Sequence, residues 1–197
     1  PPIRMDVDGW MGYARELQEE GKVLQEKLGL NVKSQPQVQE ALRSTGLKLR
    51  KDASCDQAAL QGWLHESRQA GNKKRVKLIE QIMRTRHCRD AHSKYGAKWV
   101  AENVEYGEWV YPNWKITGAE TGRMACSDPN MMNIPKRGEG SIYRSFFIAS
   151  PGNVLLVADV QQQEPRFSAY LSKDETLRQE IIDGIDLHQV HADMFGT

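Results

Sequence analysis

The stretch VLLVADVQQQEPR, residues 154–166, decides how the chain is interpreted, because an apolar run in it meets a charge. Five apolar residues, 154–158, are followed directly by Asp159 and then by three glutamines with a single valine before them. A uniformly apolar run of this length is typical of a central strand that is covered on both faces. The sequence therefore predicts a buried strand that ends at Asp159.

The residues after Asp159 predict the start of a helix. Pro165 fits into the first helical turn, where its missing N–H would have no partner in any case. The amides of residues 161–163 would then point into the same space as the carboxylate of Asp159.

A carboxylate at the lip of a sheet needs a partner, because its desolvation is costly unless a cation or hydrogen-bond donors meet it. Mg²⁺ prefers hard oxygen ligands and is often bound by one or two carboxylates together with phosphate oxygens. The other interpretation is that Asp159 caps the following helix. The residues of this stretch alone leave both interpretations open.

The charges balance over the whole chain but not along it. With 27 basic and 26 acidic residues, the net charge of +1 excludes neither a nucleic-acid enzyme nor another globular protein. Between residues 71 and 98 there are nine basic and two acidic residues, whereas from Asp159 onward there are eight acidic and three basic residues. This pattern indicates a polyanion contact in the middle of the chain and a cation-binding site near its end. A solvated basic helix face is the alternative for the middle segment.

The cysteines and the apolar segments indicate in which cellular compartment the chain is expected. The three cysteines lie far apart without CxxC spacing, so the sequence predicts neither a disulfide framework nor a zinc site, and a reducing compartment is expected. No apolar stretch approaches the ~20 residues that a membrane span needs, and the start PPIRMD lacks the features of a signal peptide. We expect a cytoplasmic piece of a longer protein, without a membrane partner.

Helical and strand-like patterns occupy separate parts of the chain. Residues 11–28 and 73–100 have helical periodicity, and the second of these segments is strongly basic. From Val104 to Asp159 the sequence favours short strands and turns, and helices return afterwards. Strands in one block with helices before and after them predict an α+β fold with a domain boundary near Asn103.

Two pairs of residues have the spacing of a capping box, Ser34 with Gln37 and Ser172 with Glu175. The first pair predicts a helix start whose free N–H groups suit a phosphate, or that simply closes the helix. Asp186 is predicted to cap the last helix.

A longer stretch resembles a known family. Residues 121–196 read TGRMACSDPNMMNIPKRGEGSIYRSFFIASPGNVLLVADVQQQEPRFSAYLSKDETLRQEIIDGIDLHQVHADMFG. This stretch resembles the core of the family A DNA polymerases of the bacterial polymerase I type, whose pattern reads approximately TGRLSSSDPNLQNIP, then DYSQIELR, then DIH and a terminal FG. The motifs follow in the same order and spacing, apart from a one-residue shortening near Gly138. A weaker likeness covers NVKSQPQVQEAL and the basic helix.

The resemblance implies a fragment of a right-hand polymerase. It consists of a helical thumb, part of an antiparallel palm sheet and the first helices of the fingers. The corresponding segments are residues 1–28 for the palm entry and leading helix, 29–103 for the thumb, 104–172 for the palm and 173–197 for the start of the fingers.

The resemblance also implies template-directed DNA synthesis, in which the primer 3′-hydroxyl attacks a deoxynucleoside triphosphate (dNTP) and two Mg²⁺ ions stabilise the attacking and departing oxygens. It implies that Asp159 is the catalytic metal-binding carboxylate and that the carbonyl of Val160 also contacts a metal. Gln161 and Gln162 would contact the triphosphate through their backbones. Glu164 would crowd the sugar 2′ position and so favour deoxyribose over ribose.

His188 matches a phosphate-contacting histidine of the family. Its alternative is an ordinary position on a helix surface together with His191, and the spacing of the two histidines by three residues also allows a metal pair. For Glu164 the alternative is a first-turn acid placed favourably at a helix N-terminus.

Five further residues match family positions near primer-template DNA. Arg123 matches an arginine that reaches the minor groove beside the primer end, where shared acceptors allow a check of base-pair shape. Asn130 and Asn133 match asparagines near the DNA, with Asn133 also a candidate for holding the turn. Arg137 and Arg144 are candidates for phosphate contacts or for structural roles.

The basic segment, residues 73–98, would place thumb charge against the duplex backbone. Departures from the pattern concern Val160, Gln161, Gln163 and Pro165, which replace a tyrosine, a serine, an isoleucine and a leucine. Met132 replaces a glutamine that usually contacts DNA. These departures indicate a divergent member of viral type, which would act in the cytoplasm of a host.

The family pattern continues beyond the matched motifs with a fingers helix and a second metal carboxylate. We therefore expect a further segment or a second polypeptide to complete the site. The alternative is a noncatalytic module that binds primer-template DNA. Single-subunit RNA polymerases share the metal aspartate, but Glu164 and the stretch SDPNMMNIP argue against such a relative.

Overall fold

The structure, a computed structural model, describes residues 2–195 without the side chains of His188, His191, Met194 and Phe195. The described part of the chain combines helices with small antiparallel sheets, which confirms the predicted α+β class. It divides into two compact units at the junction of Val154 and Leu155. Within residues 2–195, no helix is long and apolar enough to cross a membrane.

The helices of the first unit are α1 (Val7–Leu28), α2 (Gln35–Arg43), α3 (Gln57–Gln69), α4 (Lys73–Tyr95), α5 (Ala97–Asn103) and the short α6 (Ile142–Ser145). Those of the second unit are α7 (Gln163–Ser172), α8 (Glu175–Ile182) and α9 (Leu187–Phe195). The predicted division into palm, thumb and fingers segments stays a prediction.

Within residues 2–195, the strands all belong to the first unit. Strands β1 (Ile3–Met5), β2 (Val104–Glu105), β3 (Trp109–Val110) and β6 (Phe147–Ile148) form one antiparallel sheet in the order β2-β3-β1-β6. Strands β4 (Asn113–Lys115) and β5 (Ala125–Ser127) form a separate antiparallel hairpin. In the larger sheet, Arg4 of β1 lies opposite Trp109 on one side and Ile148 on the other.

Helix α1 begins and ends at residues that explain its limits. The side chain of Asp6 accepts a hydrogen bond from the amide of Gly9 at 3.0 Å, which caps the first turn. Gly29 follows Leu28 with a φ of 62°, a left-handed conformation that glycine adopts without strain. The predicted helix end at Leu28 is confirmed, and the helix begins four residues earlier than predicted.

An aromatic cluster joins α1 to α4, α5 and α6. The indole of Trp10 is fully buried, stacks on Trp99 at 4.6 Å between ring centroids and donates to the carbonyl of Tyr95 at 2.7 Å. Tyr143 packs on Trp10 with centroids 4.5 Å apart. Burial of aromatic side chains of this size is a large source of stability.

A second core lies among α2, α3 and α4. Its buried residues are Val32, Val38, Leu42, Cys55, Leu60, Ile79 and Ile82. The helical pattern of the basic segment predicts four inward residues, Val76, Ile79, Ile82 and Met83. Ile79 and Ile82 are fully buried, and Val76 and Met83 are partly buried. The three cysteines, Cys55, Cys88 and Cys126, are all buried and unpaired.

The predicted helix from residue 73 to residue 100 is interrupted. Helix α4 ends at Tyr95, and Gly96 has an extended backbone before α5 begins at Ala97. A Cβ at position 96 would lie 2.4 Å from the carbonyl oxygen of His92. Glycine therefore permits a close approach that the helical pattern of the sequence does not reveal.

Both predicted capping boxes are wrong. Ser34 precedes α2 but makes no side-chain capping bond, and Gln37 accepts instead from the amide of Asn31 at 2.6 Å. Ser172 is itself the last residue of α7, so its hydroxyl donates back to the carbonyl of Ser168 at 2.7 Å.

Two aspartates cap the helices of the second unit. Asp174 has the extended backbone that a cap needs, and it accepts from the amide of Leu177 at 3.0 Å at the start of α8. The predicted cap of the last helix is confirmed, since Asp186 accepts from the amide of Gln189 at 3.3 Å.

The predicted strand at residues 154–158 is wrong. The turn before it is present, with Gly152 at a φ of 80° and the amide of Asn153 bonded to the carbonyl of Ser150 at 2.9 Å. The residues after it are irregular, and Val154, Leu156 and Val157 are 87%, 90% and 91% exposed. A central strand requires neighbours that pair with its backbone, and no strand among the described residues pairs with this one.

Candidate functional site

Asp159 lies on exposed, irregular backbone rather than at the end of a buried strand. Its neighbour Val160 is 62% exposed. The desolvation argument for a cation partner therefore does not apply to Asp159 in this structure. What supports a metal-binding role is the chemistry of the oxygen atoms, a carboxylate beside a peptide carbonyl.

The residues that follow Asp159 form the start of α7. Gln162 has a left-handed φ of 52°, and its side-chain amide donates to the carbonyl of Ile185 at 3.2 Å. Glu164 and Pro165 lie in the first turn of α7, as the sequence predicts for the proline. An acidic side chain at this place interacts favourably with the positive end of the helix dipole.

Arg166 is a further residue that positions the segment after Asp159. Its Nε donates to the carbonyl of Gln161 at 2.8 Å, which ties the first turn of α7 back to the segment after Asp159. A signal was present, because the arginine is identical to the last residue of the family pattern DYSQIELR.

Two predicted features of the second unit are only partly described. The backbone of His188 belongs to α9, but its side chain lies outside the described part of the structure. The same holds for His191, so the proposed metal pair concerns side chains outside the described residues.

The donor atoms fit Mg²⁺ only in part. The carboxylate of Asp159 and the carbonyl of Val160 are oxygen ligands of the kind that Mg²⁺ prefers. Among the residues that the structure describes, however, no group of three or more histidine, cysteine, aspartate or glutamate residues could hold a metal ion. A complete site therefore needs at least one further acidic group.

The candidate DNA-contacting residues all lie in the first unit, in the segment from the end of β4 through α6. Arg123 is exposed in the loop before β5, where its carbonyl accepts from the amide of Ala119 at 3.2 Å. Arg137 is also exposed. Neither residue has a position fixed by burial.

The two asparagines have different local roles. The side chain of Asn130 accepts from the amide of Met132 at 3.0 Å and begins a 3-10 turn, Met131–Asn133. Asn133 is exposed, and its carbonyl accepts from the hydroxyl of Tyr95 at 3.0 Å. Asn130, not Asn133, therefore supplies the side chain that holds the turn.

Arg144 has structural hydrogen bonds. Its guanidinium donates to the carbonyl of Ile134 at 2.8 Å and to that of Pro135 at 3.0 Å. These bonds fix the segment that contains Arg137 against α6. A buried thiol supports the preceding turn, because the amide of Met131 donates to Sγ of Cys126 at 3.4 Å.

The arginines of the basic segment are used within the fold. Four of them on α4 bond to other parts of the first unit: Arg75 to Thr45, Arg84 to Glu20, Arg86 to Val32 and Cys55, and Arg89 to Gln25. The exposed cations of α4 are mainly lysines, namely Lys73, Lys74, Lys77 and Lys94. A polyanion along this helix would therefore meet the lysines more readily than the arginines.

Three groups near Arg84 have shifted pKa values, one because of a hydrogen bond and two mainly because of burial. The side-chain hydrogen bond from Arg84 lowers the pKa of Glu20. Burial raises the pKa of the Cys88 thiol to about 11. Burial, with the charge of Glu139 as a second cause, raises the pKa of Tyr13.

The chain is similar in sequence to a protein-family model and to two bacterial proteins. The chain matches the family model described as DNA polymerase family A over residues 11–197. The DNA polymerase I of Caldicellulosiruptor bescii is 45% identical over 90 residues, which are 45% of this chain and 11% of that protein. The DNA polymerase I of Rhizobium leguminosarum is 38% identical over 90 residues, or 45% of this chain and 9% of that protein. The chain thus spans about a tenth of the length of these relatives.

A solved structure has a similar fold. The POL domain of Pol1 from M. smegmatis, in complex with DNA primer-template and dNTP, matches with a TM-score of 0.69 over 94% of this chain and 34% of that chain. The sequence identity is 23%, so this likeness concerns the fold alone.

Proposed function

The chain belongs to DNA polymerase family A, and from this premise we propose that it supplies one part of a template-directed DNA polymerase. The observation that carries the proposal is the family match over residues 11–197, which includes Asp159 and all the candidate DNA-contacting residues. The proposed reaction joins a deoxynucleotide to a primer 3′-hydroxyl and releases pyrophosphate.

In this proposal the second unit binds the nucleotide. Asp159 and the carbonyl of Val160 would hold Mg²⁺, which when bound stabilises the attacking and departing oxygens. The backbones of Gln161 and Gln162 would contact the triphosphate, as would His188. Two features support this assignment. Helix α7 begins directly after Gln162, and Arg166 fixes the carbonyl of Gln161 by a hydrogen bond.

The first unit would bind primer-template DNA. Arg123, Asn130, Asn133 and Arg137 are the proposed contacts, and Arg144 would act by holding the carbonyls of the segment that precedes Arg137. Exposed lysines of α4 would add charge against the duplex backbone, so that binding weakens as the salt concentration rises.

Catalysis would need a further segment, in the same protein or in a second polypeptide, that carries another metal carboxylate. A second candidate function rests on a different observation. Because the described residues contain no cluster of metal ligands, the chain alone would act as a noncatalytic primer-template DNA-binding module.

Primer extension tests the proposal. The chain is assayed with Mg²⁺, dNTPs and primer-template DNA, alone and with a polypeptide that carries the remaining polymerase region of a family A relative. We expect incorporation only in the combined sample, and loss of incorporation in the Asp159→Ala variant.

Binding of the same DNA is measured separately by fluorescence anisotropy. DNA binding without incorporation in any sample favours the noncatalytic module. If Asp159→Ala incorporates nucleotide as well as the unchanged chain does, the catalytic assignment is wrong.

A further inference from the structure

An ion-pair network connects the two long helices of the first unit to the segment that carries the candidate DNA contacts. We define the Arg84 junction as Glu20 on α1, Arg84 and His87 on α4, and Glu139 in the 3-10 turn Glu139–Ser141. We propose that the Arg84 junction is a positioning device for DNA binding, in which Glu139 holds residues 133–145 in place against α1 and α4. The proposal rests on the proposed function and names a positioning residue for it.

Arg84 is the centre of the Arg84 junction. Its Nε and Nη2 donate to the two carboxylate oxygens of Glu20, each at 2.6 Å. Its remaining nitrogen, Nη1, donates to Oε2 of Glu139. The planar, forked guanidinium can serve both carboxylates at once, which the single ammonium of a lysine cannot do with the same geometry.

Glu139 receives further contacts from the same side. The Nε2 atom of His87 lies 3.3 Å from the carboxylate oxygen that Arg84 also contacts. The hydroxyl of Tyr13 on α1 donates to the backbone carbonyl of Glu139 at 3.4 Å. Both the side chain and the backbone of Glu139 are therefore tied to the long helices.

The position of Glu139 gives these contacts a consequence for DNA binding. It follows Arg137 by two residues, with Gly138 between them at a φ of 67°. Earlier in the segment, Asn133 is held from α4 by Tyr95, and later Arg144 holds the carbonyls of residues 134 and 135. The Arg84 junction thus fixes the segment at Glu139, which lies after the candidate DNA contacts Asn133 and Arg137 and before Arg144.

Two explanations predict opposite effects when the charge of Glu139 is removed. If Glu139 is only a surface charge, Glu139→Gln removes repulsion of the phosphates and strengthens DNA binding. If Glu139 positions the segment, the same change weakens DNA binding, because Arg137 and Asn133 lose their fixed place. The side chains of Arg84 and Glu139 are 32% and 54% exposed, so the expected effect is moderate.

The test measures binding of primer-template DNA by the 197-residue chain with fluorescence anisotropy. We expect Glu139→Gln to weaken binding about two- to fivefold, the range of an exposed ion pair. Arg84→Lys keeps the charge but not the fork, and we expect it to weaken binding as well. Glu80→Gln is the matched control. It removes a carboxylate of α4 from an exposed ion pair with Arg68 of α3, in which the nitrogen and oxygen atoms are 2.9 Å apart.

A second measurement does not depend on DNA. Amide hydrogen exchange of residues 133–145 should be faster in Glu139→Gln than in the unchanged chain or in Glu80→Gln. Unchanged exchange in this segment, or DNA binding by Glu139→Gln that equals or exceeds that of the unchanged chain, overturns the positioning role. If the unchanged chain does not bind primer-template DNA, the proposed function fails, and the exchange measurement still decides whether the junction holds the segment.

Discussion

Glu164 combines a place in a helix start with a proposed role in nucleotide selection. It lies in the first turn of α7, where its charge interacts favourably with the helix dipole, and in the proposed site it lies beside the nucleotide sugar. If the proposed role holds, a substitution at this position changes nucleotide selection as well as helix stability. Glu175 lies in the first turn of α8 and so has the same relation to a helix dipole. Comparing substitutions at the two positions separates the effect on the helix from the effect on nucleotide selection.

Replacement of Glu164 by alanine should relax the exclusion of ribonucleotides in the combined primer-extension sample. The ratio of ribonucleotide to deoxynucleotide incorporation should rise about tenfold, the lower range for a steric specificity contact. It is measured as the ratio of kcat/KM values for the two nucleotides. Glu175→Ala should leave the ratio unchanged, and an unchanged ratio in Glu164→Ala would show that the sugar assignment is wrong.

One helix boundary in the first unit depends on a backbone contact that the helical pattern of apolar residues does not show. Gly96 ends the α4 segment because its missing Cβ leaves room for the carbonyl of His92. Gly62 in the middle of α3 has open space where a Cβ would lie. The two glycines thus have opposite environments, Gly96 in the junction between α4 and α5 and Gly62 inside α3.

Alanine substitutions at these glycines should change stability in opposite directions. Gly96→Ala should lower the free energy of unfolding by about 1–3 kcal/mol, the range for overpacking. Gly62→Ala should raise it by about 0.5–1 kcal/mol, because alanine favours the helix. Urea unfolding measures both values, and an unchanged or raised free energy of unfolding in Gly96→Ala would contradict the role assigned to Gly96.

The ion pair between α1 and α4 should contribute stability that depends on pH. The pKa of Glu20 is lowered in the folded chain by the hydrogen bond from Arg84. The stabilisation is therefore present above the unfolded value of 4.5 and is lost as the pH falls through the lower folded pKa. At pH 7, Glu20→Gln should reduce the free energy of unfolding by up to about 1 kcal/mol, since the pair is partly exposed.

The difference between Glu20→Gln and the unchanged chain should shrink as the pH falls below 4.5. Urea unfolding at several pH values between 3 and 7 measures it. Glu16→Gln on the same helix controls for the removal of one charge from α1. A difference that grows toward low pH would show that the hydrogen bond from Arg84 does not stabilise the ionised form.

The sequence predicts several helix features correctly, but it does not predict which segments pair with one another in space. The end of α1 at Gly29, the inward residues Ile79 and Ile82, and the cap at Asp186 are local patterns, and all three are confirmed. The strand before Asp159 depends on partners elsewhere in the chain, and that prediction is wrong.

The same distinction applies to the candidate site. Motif order identifies Asp159 and Asn133 as candidates, but the contacts of Arg84 with Glu20 and Glu139 join residues 64 and 55 positions apart in sequence. No helical or strand periodicity carries such information. Local spacing could therefore not have found the Arg84 junction.

The molecule as a whole exposes its most apolar segment where the two units meet in sequence. Residues 154–157 have high strand propensity, and three of them are nearly fully exposed. An unpaired segment of this kind is a template for pairing with another chain. The isolated chain should therefore self-associate as its concentration rises.

Leu156→Lys should reduce this self-association, because a charge interrupts the apolar run. Static light scattering over a range of concentrations measures the effect as a lower apparent mass. Ile116→Lys is the control, since Ile116 is 78% exposed but lies outside any apolar run. Equal masses for the two variants would exclude residues 154–157 as the main contact.

The stacked pair of Trp10 and Trp99 gives the molecule an internal optical probe. All five tryptophans, at positions 10, 63, 99, 109 and 114, precede Val154, so indole emission reports on the first unit only. Far-ultraviolet circular dichroism reports on the helices of both units. Melting curves recorded with the two signals will coincide if the units unfold together and will separate if helices α7 to α9 of the second unit melt on their own.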